Sequence, residues 1–126
     1  MSPTVVVADD DPDIRALVEL AVVRAGHTVL ASVADGVAAL SAASLHRPDL
    51  LILDVSMPKM SGLQVCEQLR ANPATAGLRV LILSADAQHT AVQAGLDAGA
   101  GAYLPKPFSL RELRAQITEL LSGTPS

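Results

Sequence analysis

Five side chains that could hold a metal ion and a phosphoryl group stand at the ends of four apolar runs in this chain of 126 residues. Asp9 and Asp10 follow Val5-Val6-Val7-Ala8, and Asp54 follows Leu50-Leu51-Ile52-Leu53. Ser84 follows Val80-Leu81-Ile82-Leu83, and Lys106 follows Ala102-Tyr103-Leu104-Pro105. If each run is a strand of an open parallel sheet, its carboxyl end faces the crevice where such sheets bind ligands. All five side chains then share one mouth. Two like charges ~4 Å apart repel by roughly 4 kcal/mol at an effective dielectric of 20. Three clustered carboxylates therefore call for a divalent cation, and Mg²⁺ suits them because it takes oxygen ligands, keeps waters and is shared with phosphate. Lys106 offers a point positive charge for phosphate oxygens and Ser84 a hydroxyl donor.

Each residue alone has a plainer explanation. Asp9-Asp10-Asp11 could be nothing more than a helix start complementing the macrodipole, a role assigned here to Asp11. A single Asp54 is an ordinary turn residue, and a single Ser84 or Lys106 says less still. Their joint placement after four apolar runs carries the signal.

The elements that must position these groups alternate. Pro12 stands at the first position of a helix whose apolar stripe is Ile14, Leu17, Val18, Ala21, Val22 and Ala25, and Gly26 stops it. Thr28 to Ser32 reads as the second strand. Asp35-Gly36 opens a second helix, which ends before Pro48. Leu50 to Leu53 is wholly apolar, as a strand covered on both faces must be. Gly62 to Ala71 presents Leu63, Cys66 and Leu69 on one face of a third helix, and Arg79 to Leu83 is the fourth strand. Ala87 to Ala98 is a helix weak in its own right, with Gly95 inside it and glycines after it. Ala102 to Leu104 is the fifth strand. The last helix opens on the capping box Ser109-x-x-Glu112 and buries Leu110, Leu113, Ile117, Leu120 and Leu121. Five β–α repeats imply an α/β fold, a doubly wound parallel sheet with helices on both faces. Right-handed crossovers favour the strand order 2-1-3-4-5.

Bulk properties bound the function. The chain is 50% hydrophobic and 17% charged, which excludes a disordered tail. The formal net charge is −4 and no Lys/Arg block occurs, so direct nucleic-acid binding is not expected. No apolar run reaches the ~20 residues of a membrane span, and the start lacks a basic n-region, so a cytoplasmic location is expected. Cys66, the one cysteine, reads as a buried helix residue. His27, His46 and His89 lack ligand spacing, Met57 and Met60 read as loop packing, and Phe108 as core.

Along nearly its whole length the sequence resembles the receiver domain of two-component response regulators. The matching stretches are Val5 to Pro12, Pro48 to Gly62 with Asp54 and Pro58 inside it, Leu83-Ser84-Ala85, and Gly101 to Phe108 with its Lys106-Pro107 pair. The resemblance implies a five-stranded (βα)5, flavodoxin-like domain over residues 1–122, with 123–126 a polar tail or the start of a linker. It implies a signalling switch that catalyses only its own phosphoryl transfer and a slow self-dephosphorylation. Asp54 would accept the phosphoryl group from a histidine kinase or a phosphotransfer protein. Asp9, Asp10, Asp54 and the backbone carbonyl of Ser56 would hold Mg²⁺, with Asp10 a direct ligand and Asp9 acting through water. Lys106 would pair with phosphoryl oxygens, Ser84 would swing to the acyl phosphate, and Tyr103 would rotate inward behind it. Lys106-Pro107 would be a cis peptide. Ser56 and Asp86 would tune phosphoryl lifetime. The output would be read on helix four, strand five and helix five by an effector protein or domain, or by a second copy. Ser61 departs from the aspartate frequent before Gly62.

Other functions fit less well. A pseudo-receiver that docks without phosphorylation has no need of the complete set of site residues. A small phosphate-ester hydrolase with an aspartyl nucleophile needs an Asp-x-Asp pair, and Ser56 stands where its second acid belongs. A flavodoxin-like electron carrier would want ring-stacking tryptophans, and the chain has none. The chain is expected to be either a single-domain regulator or a piece of a longer one.

Overall fold

The computed structural model describes residues 3–85 and 89–122. Strand and helix alternate without exception: β1 (Thr4–Ala8), α1 (Pro12–Arg24), β2 (Thr28–Val33), α2 (Gly36–His46), β3 (Leu50–Asp54), α3 (Gly62–Ala71), β4 (Arg79–Ser84), α4 (His89–Asp97), β5 (Ala102–Pro105) and α5 (Leu110–Ser122). All four strand pairings are parallel, in the order β2-β1-β3-β4-β5. This is the order expected from the alternation. The tail expected over residues 123–126 lies outside the described residues, as does the expected start of α4 at Ala87.

Strand side chains alternate between two apolar layers, as the period of two requires. Val5, Val7, Leu50, Ile52, Leu81 and Leu83 pack on Val18, Ala21 and Val22 of α1 and on Leu113 and Ile117 of α5. Val6, Ala8, Leu51, Leu53, Val80 and Ile82 pack on α2 and α3 through Ala39, Ala43, Val65, Cys66 and Leu69. Phe108 lies partly buried against the first layer, and Met57 and Met60 against the second. β3 is buried at all five positions, which accounts for its unbroken apolar run. Among the described residues, no helix is long and apolar enough to cross a membrane.

Local chemistry sets the helix starts that frame the mouth. The Asp11 side chain accepts the N–H of Asp13 at 2.9 Å, and that of Asp35 accepts Ala38 N–H at 2.8 Å. Ser61 and Gln64 close a reciprocal capping box at 3.2 and 2.9 Å, and Ser109 and Glu112 close another with both bonds at 3.0 Å. Gly26, at φ +88, takes the left-handed turn that ends α1.

Three features differ from expectation. β3, β4 and β5 each run one residue further, so Asp54 and Ser84 are paired strand residues instead of loop residues. Asp54 stands opposite Leu83 and Ser84 opposite Pro105. The register between β1 and β2 slips by one residue, pairing Val5 with Val29 but Val6 with Ala31. The bulge leaves Leu30 exposed and lets Val29 and Ala31 serve opposite layers. Finally, Gly95 is a close-approach residue. A Cβ on it would lie 2.8 Å from Cδ2 of the Tyr103 ring. Its cost to the helix is offset by the ring that packs there.

Arg70, near the end of α3, ties distant segments together. Its guanidinium donates to the Gly99 carbonyl from Nε at 3.1 Å and from Nη2 at 2.5 Å, and to the Ala76 carbonyl at 3.1 Å. The turn leaving α4 is thereby fixed to α3.

Candidate functional site

Asp9 is the first residue beyond β1, and its N–H donates to the Val33 carbonyl of β2 at 3.1 Å. Its carboxylate is wholly buried, with one hydrogen bond on each oxygen. Oδ1 accepts the Asp11 N–H at 2.9 Å, and Oδ2 accepts Lys106 Nζ at 3.1 Å. Asp10, by contrast, is exposed. Asp54, only 5% exposed, places Oδ1 at 3.3 Å from the same Nζ. One ammonium thus bridges two buried carboxylates from separate strands.

Lys106 reaches them because the chain beyond β5 is anchored: its N–H donates to the Ser84 carbonyl at 2.6 Å. The Lys106-Pro107 peptide is cis. Burial works against the ammonium, but the Asp9 hydrogen bond and the charges of Asp54 and Asp9 outweigh it, and the net effect raises its pKa. For Asp54, burial and then the charge of Asp9 push the pKa above 3.8, and Lys106 offsets only part of this. With three carboxylates against one ammonium, the pocket keeps an excess of negative charge even with its lysine in place.

That excess bears directly on a cation. One oxygen from each of Asp9, Asp10 and Asp54 lies within 4.8 Å of the others, the one such cluster of potential ligands among the described residues. The donors are hard oxygens, which suit Mg²⁺ far better than a thiophilic metal. No histidine joins them. Cys66 is not in the cluster, and burial pushes its thiol up to about 11.

The remaining expected site residues fall around this core. Ser84, buried, ends β4 beside both β3 and β5. Tyr103 lies behind it on β5, partly buried, with its ring against Gly95. Ser56 is exposed in the loop after β3. That loop is held to α2, since Gly36 N–H donates to the Pro58 carbonyl at 3.3 Å and Lys59 pairs with Asp35 at 3.6 Å. Asp86 lies outside the described residues.

Sequence reasoning missed Arg15. Its Nη1 turns back from α1 to donate to the Asp9 carbonyl at 2.9 Å. The available signal was a cation in the first turn of a helix, where the macrodipole disfavours one.

Comparison with known proteins agrees with this fold. The family described as the response regulator receiver domain matches residues 5–118. The chain is 46% identical over 125 residues to the response regulator MprA of Mycobacterium ulcerans (strain Agy99), covering 98% of this chain and 52% of that protein. It spans about half the length of the curated relatives it matches. Among solved structures, the chemotaxis response regulator CheY4 of Vibrio cholerae superposes with a TM-score of 0.89 at 30% identity, over 96% of this chain and 100% of that one. The receiver domain of the sensor histidine kinase PA1611 from Pseudomonas aeruginosa PAO1 gives 0.87 at 25% identity, over 98% and 100%; that structure has a magnesium ion coordinated in its active site cleft.

Proposed function

The chain belongs to the response regulator receiver family, and from that premise we propose that it is a phosphorylation-activated switch of two-component signalling. Asp54 accepts a phosphoryl group from a histidine kinase or phosphotransfer protein in a Mg²⁺-dependent reaction. The observation that carries this is the Lys106 ammonium set between the buried carboxylates of Asp9 and Asp54, beside the exposed Asp10.

Each residue has a task that its surroundings favour. Asp54, stripped of water and raised in pKa, is a stronger nucleophile than a solvated carboxylate. One of its oxygens bonds to phosphorus as the bond from phosphorus to the donor's imidazole nitrogen breaks, and the electron pair leaves with that nitrogen. Lys106, held cationic, neutralises charge on the transferring oxygens. Asp10, Asp54 and the Ser56 backbone carbonyl would hold Mg²⁺ directly. Asp9, with both oxygens already engaged, would act through water. When bound, the ion supplies charge neutralisation for the phosphoryl oxygens.

The product bears more negative charge than the carboxylate it replaces. Ser84 turns its hydroxyl to it, and Tyr103 follows inward. An interaction that exists in only one state shifts a pre-existing equilibrium. The face made by α4, β5 and α5 changes and is read by an effector, or by a second copy through Arg111, Glu112 and Arg114, all exposed. Ser56 and Asp86 set the lifetime of the acyl phosphate, which the domain slowly hydrolyses without acting as a turnover enzyme. Such a switch works in the cytoplasm, and this domain binds no nucleic acid itself.

Intact-mass spectrometry after incubation with Mg²⁺ and a small acyl-phosphate donor tests the reading. The wild type should gain one acid-labile phosphoryl group, and Asp54→Asn none. Full labelling of the variant would sink the acceptor assignment. An unlabelled wild type would point instead to a phosphorylation-independent docking module.

A further inference from the structure

We propose that Arg15 is a positioning residue for the divalent-cation site, holding the turn between β1 and α1 so that the Asp10 carboxylate faces the pocket. The proposal rests on the phosphorylation-switch reading and adds a residue to it. Its ground is how differently the two neighbouring acids are held. Asp9 is fixed on every side: its N–H by Val33, Oδ1 by the Asp11 N–H and Oδ2 by Lys106. Asp10 is exposed, and among the described residues no hydrogen bond or ion pair holds its carboxylate. Its backbone sets the direction of its Cβ, and with it the region its carboxylate can reach.

That backbone is joined to Asp9 by one peptide, and the oxygen of this peptide accepts Arg15 Nη1 at 2.9 Å. Fixing the plane of the peptide fixes the direction in which Asp10 leaves it. Arg15 is half-buried and sits in the first turn of α1, where the helix dipole opposes a cation. The guanidinium is held there by its donor meeting the Asp9 carbonyl.

Two effects of Arg15 on Mg²⁺ have opposite signs, which makes the proposal sharp. As a bare positive charge beside the site, Arg15 repels the ion, and its removal should tighten binding. As a brace for Asp10, it aligns a ligand, and its removal should weaken binding. Loss of an outer partner that orients a metal ligand typically costs 10- to 100-fold in affinity.

The test is calorimetric titration of the full chain with Mg²⁺. Arg15→Met, which keeps the stem but loses charge and donor, should raise the Kd about tenfold. Arg15→Lys, which keeps the charge and a donor, should fall between the two and also serves if the Met variant does not fold. In an Asp10→Asn background the Arg15→Met change should add little, because brace and ligand act as one unit. Unchanged or tighter binding in Arg15→Met, or an undiminished effect in the Asp10→Asn background, overturns the proposal. A wild type that fails to bind Mg²⁺ overturns the metal site itself, and this proposal with it.

Discussion

The two walls of the mouth are built by opposite rules. One wall, formed by β1 and β3 with the helix starts beside them, is fixed by backbone. β3 is buried from end to end, Asp9 has both carboxylate oxygens engaged, and α1, α2 and α3 each begin on a side-chain cap. The other wall, formed by α4 and β5, shows less of this among the described residues. β5 is an edge strand of four residues with only Leu104 buried, and α4 has neither an acid in its first turn nor a base in its last. The difference follows from the work each does. Carboxylates that repel one another must be imposed by the fold, whereas a wall that shifts in the proposed switch must be nearly as stable in a second arrangement.

The same substitution on each wall should expose the contrast. A Cβ on Gly36 would lie 1.8 Å from the Met60 carbonyl oxygen, which is backbone and cannot turn aside. Gly36→Ala should therefore cost about 3 kcal/mol and lower the melting midpoint by on the order of 10 °C. A midpoint close to that of the wild type would show this wall to be softer than its contacts imply.

A second effect separates the walls by pH. The pKa of Asp54 is raised by burial and then by Asp9, so the folded state binds that proton more tightly than the unfolded chain does. Stability is lost as pH climbs from 3.8 through the raised value, and the penalty is fully present above it. Asp54→Asn should melt above the wild type at pH 7, with the gap closing as pH falls toward 3.8. A gap that does not vary with pH would mean the acid is not held under strain.

The smallest effect belongs to α4. Gly95→Ala meets side chains instead of backbone, the Tyr103 ring at 2.8 Å and Ile82 Cδ1 at 3.4 Å, and alanine gains up to ~1 kcal/mol of helix propensity in return. Stability should stay within about 1 kcal/mol of the wild type, while the emission of Tyr103 changes. The chain has one tyrosine and no tryptophan, so that signal is clean. Unaltered emission would mean that the ring does not depend on the glycine.

The sequence disclosed strand ends and helix caps more readily than contacts between elements. Asp9, Asp10, Asp54, Ser84 and Lys106 were legible because a parallel sheet brings all its strand ends to one side, so position along each apolar run suffices. Caps such as Asp11 and Ser109 were legible because they act within three residues. Ser61 was read as a departure from aspartate, although Ser61 and Gln64 have the spacing of a capping box. Gly95 was read as weakness because propensity is local, while its partner Tyr103 belongs to another element. Arg15 and Arg70 were not seen, since a long side chain meeting a backbone carbonyl leaves no periodic trace.

The Arg70 clamp also bears on how this domain could be recombined with its relatives. By gripping the carbonyl of Gly99 it closes a loop that contains β4 and α4 entirely. A chimera that takes β4 through α5 from this chain but joins it at Arg79, the start of β4, would leave the grip behind in the discarded α3. The smallest segment that can be transplanted with its own support begins at Arg70, the penultimate residue of α3.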